Sequence, residues 1–149
     1  ITVRPEIKMI ADNYKNKSIV GVSWRTLSQE PEQQKLRNVE LIQLSKNLNC
    51  ADTVLIILQP LVLESEIKDL KGMGFDVIDK FDAKNDILSV FELISICDQI
   101  ITNQGAVAHF AGAIGQNTLM FRPKNARWVW THETEKSDFY PTIKFVERY

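Results

Sequence analysis

The residues of this chain best suited to chemistry sit between Ile100 and Gly115, in the segment IITNQGAVAHFAGAIG. An apolar run over 98–102 predicts a buried strand, which turns at Asn103-Gln104-Gly105 into a helix of small residues that stops at Gly115. A strand running straight into a helix leaves several backbone N–H groups without partners at the turn. Together with the helix dipole they make a site for an anion. Asn103, Gln104, Gly105, Ala106 and Val107 are therefore expected to hold phosphate, and phosphate implies a nucleotide-type ligand. Asparagine also caps helices for structural reasons alone, so a plain helix start is the competing reading. Neither of the two best-known phosphate loops, GxGxxG or the P-loop pattern, occurs.

Other residues offer less. Arg25 follows an apolar strand, and its planar fork either reaches a phosphate or lies on the surface. His109, one turn into the small-residue helix, is read as a hydrogen-bonded packing residue that backs the site rather than as a catalytic base. Arg127, Trp128 and Trp130 suit either stacking on a base or closing one end of the core. Asp79, Asp82 and Asp86 cluster without a His or Cys at metal-ligand spacing, so loop solvation and a helix cap explain them and no metal is expected. His132-Glu133 lacks the second histidine of a zinc-binding helix. No Ser/His/Asp or Cys/His arrangement is discernible, and nothing demands a complete catalytic site.

These residues need a scaffold, and the hydropathy pattern supplies one. Residues 1–17 read as a polar lead-in helix or linker, and 18–24 as a first strand apolar enough to be buried on both faces. A polar loop follows, then a helix over about 36–49 with Leu41, Leu44 and Leu48 at helical spacing. Strands are expected at 53–58, 75–78, 98–102 and 118–121, with helices at 63–71, 87–97 and 105–114 between them. Asp86 is expected to cap the helix at 87. A closing tail, 123–149, ends in 143–146, an edge strand or a piece packed back on the sheet. Strands alternating with helices predict a three-layer, Rossmann-like α/β domain with a parallel sheet. In such sheets ligands bind outside the carboxyl ends of the strands, which selects Ser23-Trp24-Arg25, Gln59-Pro60-Leu61 and Asn103-Gln104-Gly105.

Composition bounds the reading. At 149 residues the chain fits a single domain, 1–149, with an α/β core over 18–122. A net charge of −1 gives no electrostatic case for nucleic acid or an acidic membrane. The apolar runs are too short to span a bilayer. Cys50 and Cys97 lie inside apolar patterns and are read as reduced core residues, which with the lack of a visible signal peptide suggests a cytoplasmic address. The chain opens on Ile1, so it is read as part of something longer.

The segment from Ile100 to Gly115 resembles the "VIT-DT-AVAHLAGALG" signature of the heptosyltransferase-like glycosyltransferases of family 9, most closely the branch found behind tetratricopeptide repeats. Further pieces fall in the same order: Gly21 to Arg25 is similar to that branch's "GISWRG", Arg37 to Leu41 to its "RSIPL", Leu58-Gln59 to its "SLQ", and Ser137 to Pro141 to its "SPWYP". Asp86 resembles its helix-opening aspartate. The resemblance implies the C-terminal half of a two-domain transferase of the B fold, which binds a nucleotide-diphosphate sugar and works without a bound metal. The missing N-terminal half would supply much of the acceptor site. The diphosphate would lie on 104–107 with Arg25 nearby, and Ser23, Gln59, Leu61 and Asp86 would serve the base or ribose. Two positions depart from the pattern. Asn103-Gln104 stands where the family has Asp then Thr or Ser, and Trp128-Val129-Trp130 where it tends to have Trp-Arg-Trp. Loss of a carboxylate and a hydroxyl at the turn spares binding more readily than chemistry. A fragment inactive alone, or a degenerate transferase domain serving protein contacts, are the two functions expected.

Overall fold

A computed structural model describes residues 1–123, 130 and 135–147. Six parallel strands form one sheet in the order β3-β2-β1-β4-β5-β6. They are β1 (Ser18–Ser23), β2 (Thr53–Ile57), β3 (Asp76–Ile78), β4 (Gln99–Asn103), β5 (Thr118–Arg122) and β6 (Ile143–Glu147). The helices are α1 (Pro5–Asn13), α2 (Pro31–Arg37), α3 (Leu41–Ser45), α4 (Glu64–Gly72), α5 (Ile87–Ile96) and α6 (Ala106–Ala113).

The period-2 alternation of a strand sends neighbouring side chains to opposite faces. Ile19, Val54, Ile56 and Ile100 pack under α1, α5 and α6 with Ile7, Leu93 and Ala111. Val20, Val22, Leu55, Ile57 and Ile101 pack under α3 and α4 with Leu44, Ile67 and Leu70. Two separate cores, one on each face, make the three layers that the alternation of elements predicts. Gly21 lies in the middle of β1 because a Cβ there would come within 2.7 Å of Ile100 Cδ1 and Leu58 Cδ1. A side chain there would displace the ends of those two core side chains.

The expected helix over 36–49 is instead two short ones, broken at Asn38-Val39. Val39 N donates to Trp24 O at 2.8 Å and its side chain is buried, so the chain is pulled back to the exit of β1. The tail closes the other end of the sheet. Trp130, Met120, Ala108 and Ile143 form a small third core. Residues 135–137 then run antiparallel along the outer side of β6, where Phe145 N donates to Glu135 O and Ser137 N to Ile143 O. Cys50 and Cys97 are free thiols, and burial pushes the Cys97 thiol up.

Candidate functional site

The strand order reverses between β1 and β4. Chain connections leave these two neighbours in opposite directions, so a crevice opens at their carboxyl ends. Register pairs Ser23 with Thr102, which brings Trp24-Arg25 and Asn103-Gln104 to one lip. Two of the three exits selected from the sequence therefore converge at the switch point, and the third, Gln59, is next door, just past the end of β2.

At the β4 exit, Asn103 and Gln104 are buried. Thr102 Oγ1 donates to Asn103 O at 3.1 Å and holds the backbone as it turns. Gly105 caps α6 with extended backbone and no side chain satisfies the cap. Ala106 and Val107 thus present first-turn N–H groups that have no preceding carbonyl in the helix. Asn103 Nδ2 is fully buried and has no hydrogen-bond partner. Its side chain lies against the cap, since a Cβ on Gly105 would be 3.6 Å from Asn103 Oδ1. A buried amide donor beside an open helix N-terminus is a costly arrangement unless an acceptor completes it.

The β1 and β2 exits are tied together by one side chain. Gln59 Oε1 accepts from Trp24 N (2.9 Å), Arg25 N (2.8 Å) and Ser23 Oγ (3.2 Å), while its Nε2 donates to Pro60 O (2.9 Å) and Arg25 O (3.3 Å). Ser23 and Gln59 are both buried, and the amide holds the loop backbone. Arg25 presents its fork to Glu66, Nη2 to Oε1 at 2.6 Å and Nε to Oε2 at 3.0 Å, and Nη2 also donates to Leu61 O at 2.8 Å. Leu61 adopts φ +54° to place that carbonyl, with its side chain exposed. Trp24 Nε1 donates to Glu66 as well. Burial opposes the charged form of Glu66, yet hydrogen bonds from Arg25, Trp24 and Leu63 N–H outweigh it and hold the carboxyl below its usual range. A cavity of 660 Å³ opens beside Arg25 between α2, α3 and α4, and another of 320 Å³ lies between α4 and Asp79. Residues of the β4–α6 turn line neither.

Asp86 caps α5 by accepting from Ser89 N, and its partners are Ser89 and Arg4 rather than any strand exit. Its carboxyl is held low by the Ser89 hydroxyl and N–H, with Arg4 adding to them. Arg4 also binds buried Glu92, which pins the start of α1 to α5. His109 sits in an aromatic cluster: Nδ1 lies 3.0 Å from Tyr140 Oη and the ring 4.8 Å from that of Trp130. Burial pushes its pKa down, so the imidazole is neutral at neutral pH. Trp130 is core, and Arg127 and Trp128 lie outside the described residues. The sequence reading passed over two residues, Glu66 and Arg122. Arg122 is a buried arginine ending β5, one strand from Asn103. Its signal was an arginine closing an apolar strand at the carboxyl end, where ligands sit. Among the described residues no cluster of His, Cys, Asp or Glu could hold a metal ion, and no helix is long and apolar enough to cross a membrane.

No protein-family model matches the sequence, and no curated protein does. Solved structures do match in fold. ADP-heptose LPS heptosyltransferase II of E. coli is 10% identical with a TM-score of 0.61, over 98% of this chain and 44% of that one. A glycosyl transferase of family 9 from Veillonella parvula is 10% identical with a TM-score of 0.60, over 99% of this chain and 42% of that one. The fold is thus the Rossmann-like α/β fold of the B-type glycosyltransferases, as the resemblance implies. The chain spans less than half the length of either structure.

Proposed function

We propose that this chain is the donor half of a glycosyltransferase and binds the diphosphate of a nucleotide sugar at the β4–α6 turn. The observation that carries the reading is the buried Asn103 amide, without a partner, beside the open N-terminus of α6 at the switch point. Phosphate oxygens would accept from Asn103 Nδ2 and from the Ala106 and Val107 N–H groups. The same donors would stabilise the charge that grows on a leaving diphosphate as the glycosidic bond breaks. Arg25 is committed to Glu66, so it would join the ligand only by exchanging one carboxylate partner for another anion.

The acceptor site would come from a second domain. The loops at this lip support that, because Leu27, Leu61, Leu63, Ile87 and Leu88 are all exposed in the connections after β1 and β2 and at the start of α5. The chain alone should bind nucleotide and transfer no sugar.

Thermal unfolding with a panel of nucleoside diphosphates tests this. A ligand at 100 times its Kd stabilises the native state by about 2.7 kcal/mol. Stabilisation selective for one base, lost in Asn103→Leu, is the expected result. No stabilisation by any diphosphate at millimolar concentration would overturn the reading and leave the protein-contact module.

A further inference from the structure

Gln104 follows β4 at the first position beyond its ladders, whose last pairs are Thr102 with Ser23 on one side and Asn103 with Phe121 on the other. It stands at the switch point directly before Gly105, the cap of α6, and yet it is only 5% exposed. A residue past the strand ends and still covered lies inside the crevice, not on its rim. Its amide makes no hydrogen bond with any described residue. The other glutamines near the sheet behave differently. Gln59 spends its amide on the exits of β1 and β2. Gln116 donates to Ile94 O at 2.8 Å and Cys97 O at 2.6 Å, and accepts from Asn117 N at 3.0 Å.

The two amides at the turn differ in what can reach them. Asn103 Nδ2 is sealed from solvent, a lone donor that a phosphate oxygen would complete. Neither end of the Gln104 amide is sealed, so a ligand in the crevice can meet both its Nε2 donor and its Oε1 acceptor. Diphosphate offers acceptors and would leave Oε1 facing an anion. A hydroxyl both donates and accepts, and a pair of ring hydroxyls answers both ends of an amide. Reach narrows the choice further. With the diphosphate on the α6 N–H groups, the groups within one side chain of the cap are the rings bonded to phosphate; a base stands a ribose farther on.

Building on the diphosphate reading above, we infer that Gln104 reads the hydroxyls of a sugar ring bonded to the diphosphate and so decides which sugar phosphates the site accepts. The ring is the ribose of the nucleotide or the transferred sugar, which share this chemistry. The neighbours then divide the ligand, Asn103 and the backbone holding the anion and Gln104 the ring. A ring without free hydroxyls beside the phosphate would strand the amide in a covered site, and that loss is the source of selectivity.

Titration followed by nuclear magnetic resonance, with three probes, tests the assignment. Inorganic pyrophosphate carries no ring, ribose 5-phosphate carries the ring of the nucleoside side, and glucose 1-phosphate a hexose on the transferred side. Gln104→Met keeps the length of the side chain and removes both polar atoms. It should bind pyrophosphate as wild type does and at least one sugar phosphate about ten-fold more weakly, the loss of two neutral hydrogen bonds. The probe affected identifies the ring. Should the variant not fold, wild type still answers: the Gln104 side-chain amide protons should show nuclear Overhauser contacts to protons of that ring. Equal weakening with all three probes overturns the inference, because Gln104 then serves the phosphate or the scaffold. So does unchanged affinity for both sugar phosphates, failure of wild type to bind either, or no such contact at saturation. In each of these cases the anion site itself stands. No pyrophosphate binding by wild type removes the diphosphate site and this inference with it.

Discussion

At the scale of single residues, Gln59 shows how a position chosen for chemistry can be used by the backbone. Five hydrogen bonds to the exits of β1 and β2 occupy its amide on both sides. Gln59→Leu would strand the N–H groups of Trp24 and Arg25, and the expected loss is about 2–4 kcal/mol in urea unfolding without ligand. Two titrating groups each weaken the fold as pH falls, in two different windows. Burial lowers the His109 pKa, so the unfolded chain, titrating near 6.5, takes the proton more readily. Stability is therefore complete above about pH 6.5 and falls as pH drops below it, until the folded imidazole is itself protonated. His109→Phe should flatten that part of the curve. The Glu66 carboxyl is held low, so its contribution is present above about 4.3 and is lost as pH falls through its folded value. Glu66→Gln should flatten the acid limb in thermal scans taken across that range.

At the scale of elements, α6 is packed against Tyr140 of the tail. A Cβ on Gly112 would lie 2.4 Å from Tyr140 Cγ, so the helix must be smooth there for the tail to dock on it. Gly112→Ala should cost about 1–3 kcal/mol by overpacking, with a loss of near-ultraviolet circular dichroism from the Trp130–Tyr140–His109 cluster. The run of small residues in α6 was legible in the sequence because spacing and residue size are local properties. The break between α2 and α3 was not. Leu41, Leu44 and Leu48 keep the right face toward the core, but the bond from Val39 to Trp24 O overrides their period. The fork of Arg25 was legible as a cation at a strand exit; that Glu66 would hold it depends on α4 crossing that exit.

At the scale of the whole molecule, alternation of strands and helices fixes a parallel sheet, whereas the order β3-β2-β1-β4-β5-β6 arises from which crossover goes which way. That order decides where the crevice falls, so the β4–α6 turn was readable as a helix start and its pairing with β1 was not. The two rims of the sheet have a further effect. β3 is only three residues long, and β6 has residues 135–137 laid along its outer side. Neither rim offers a long row of open donors and acceptors, which is how sheet proteins avoid adding strands from other copies. Removing 135–137 should turn β6 into such a template, with concentration-dependent sedimentation as the readout. Among the described residues both rims thus leave little open backbone for strand addition, the first step toward fibrils.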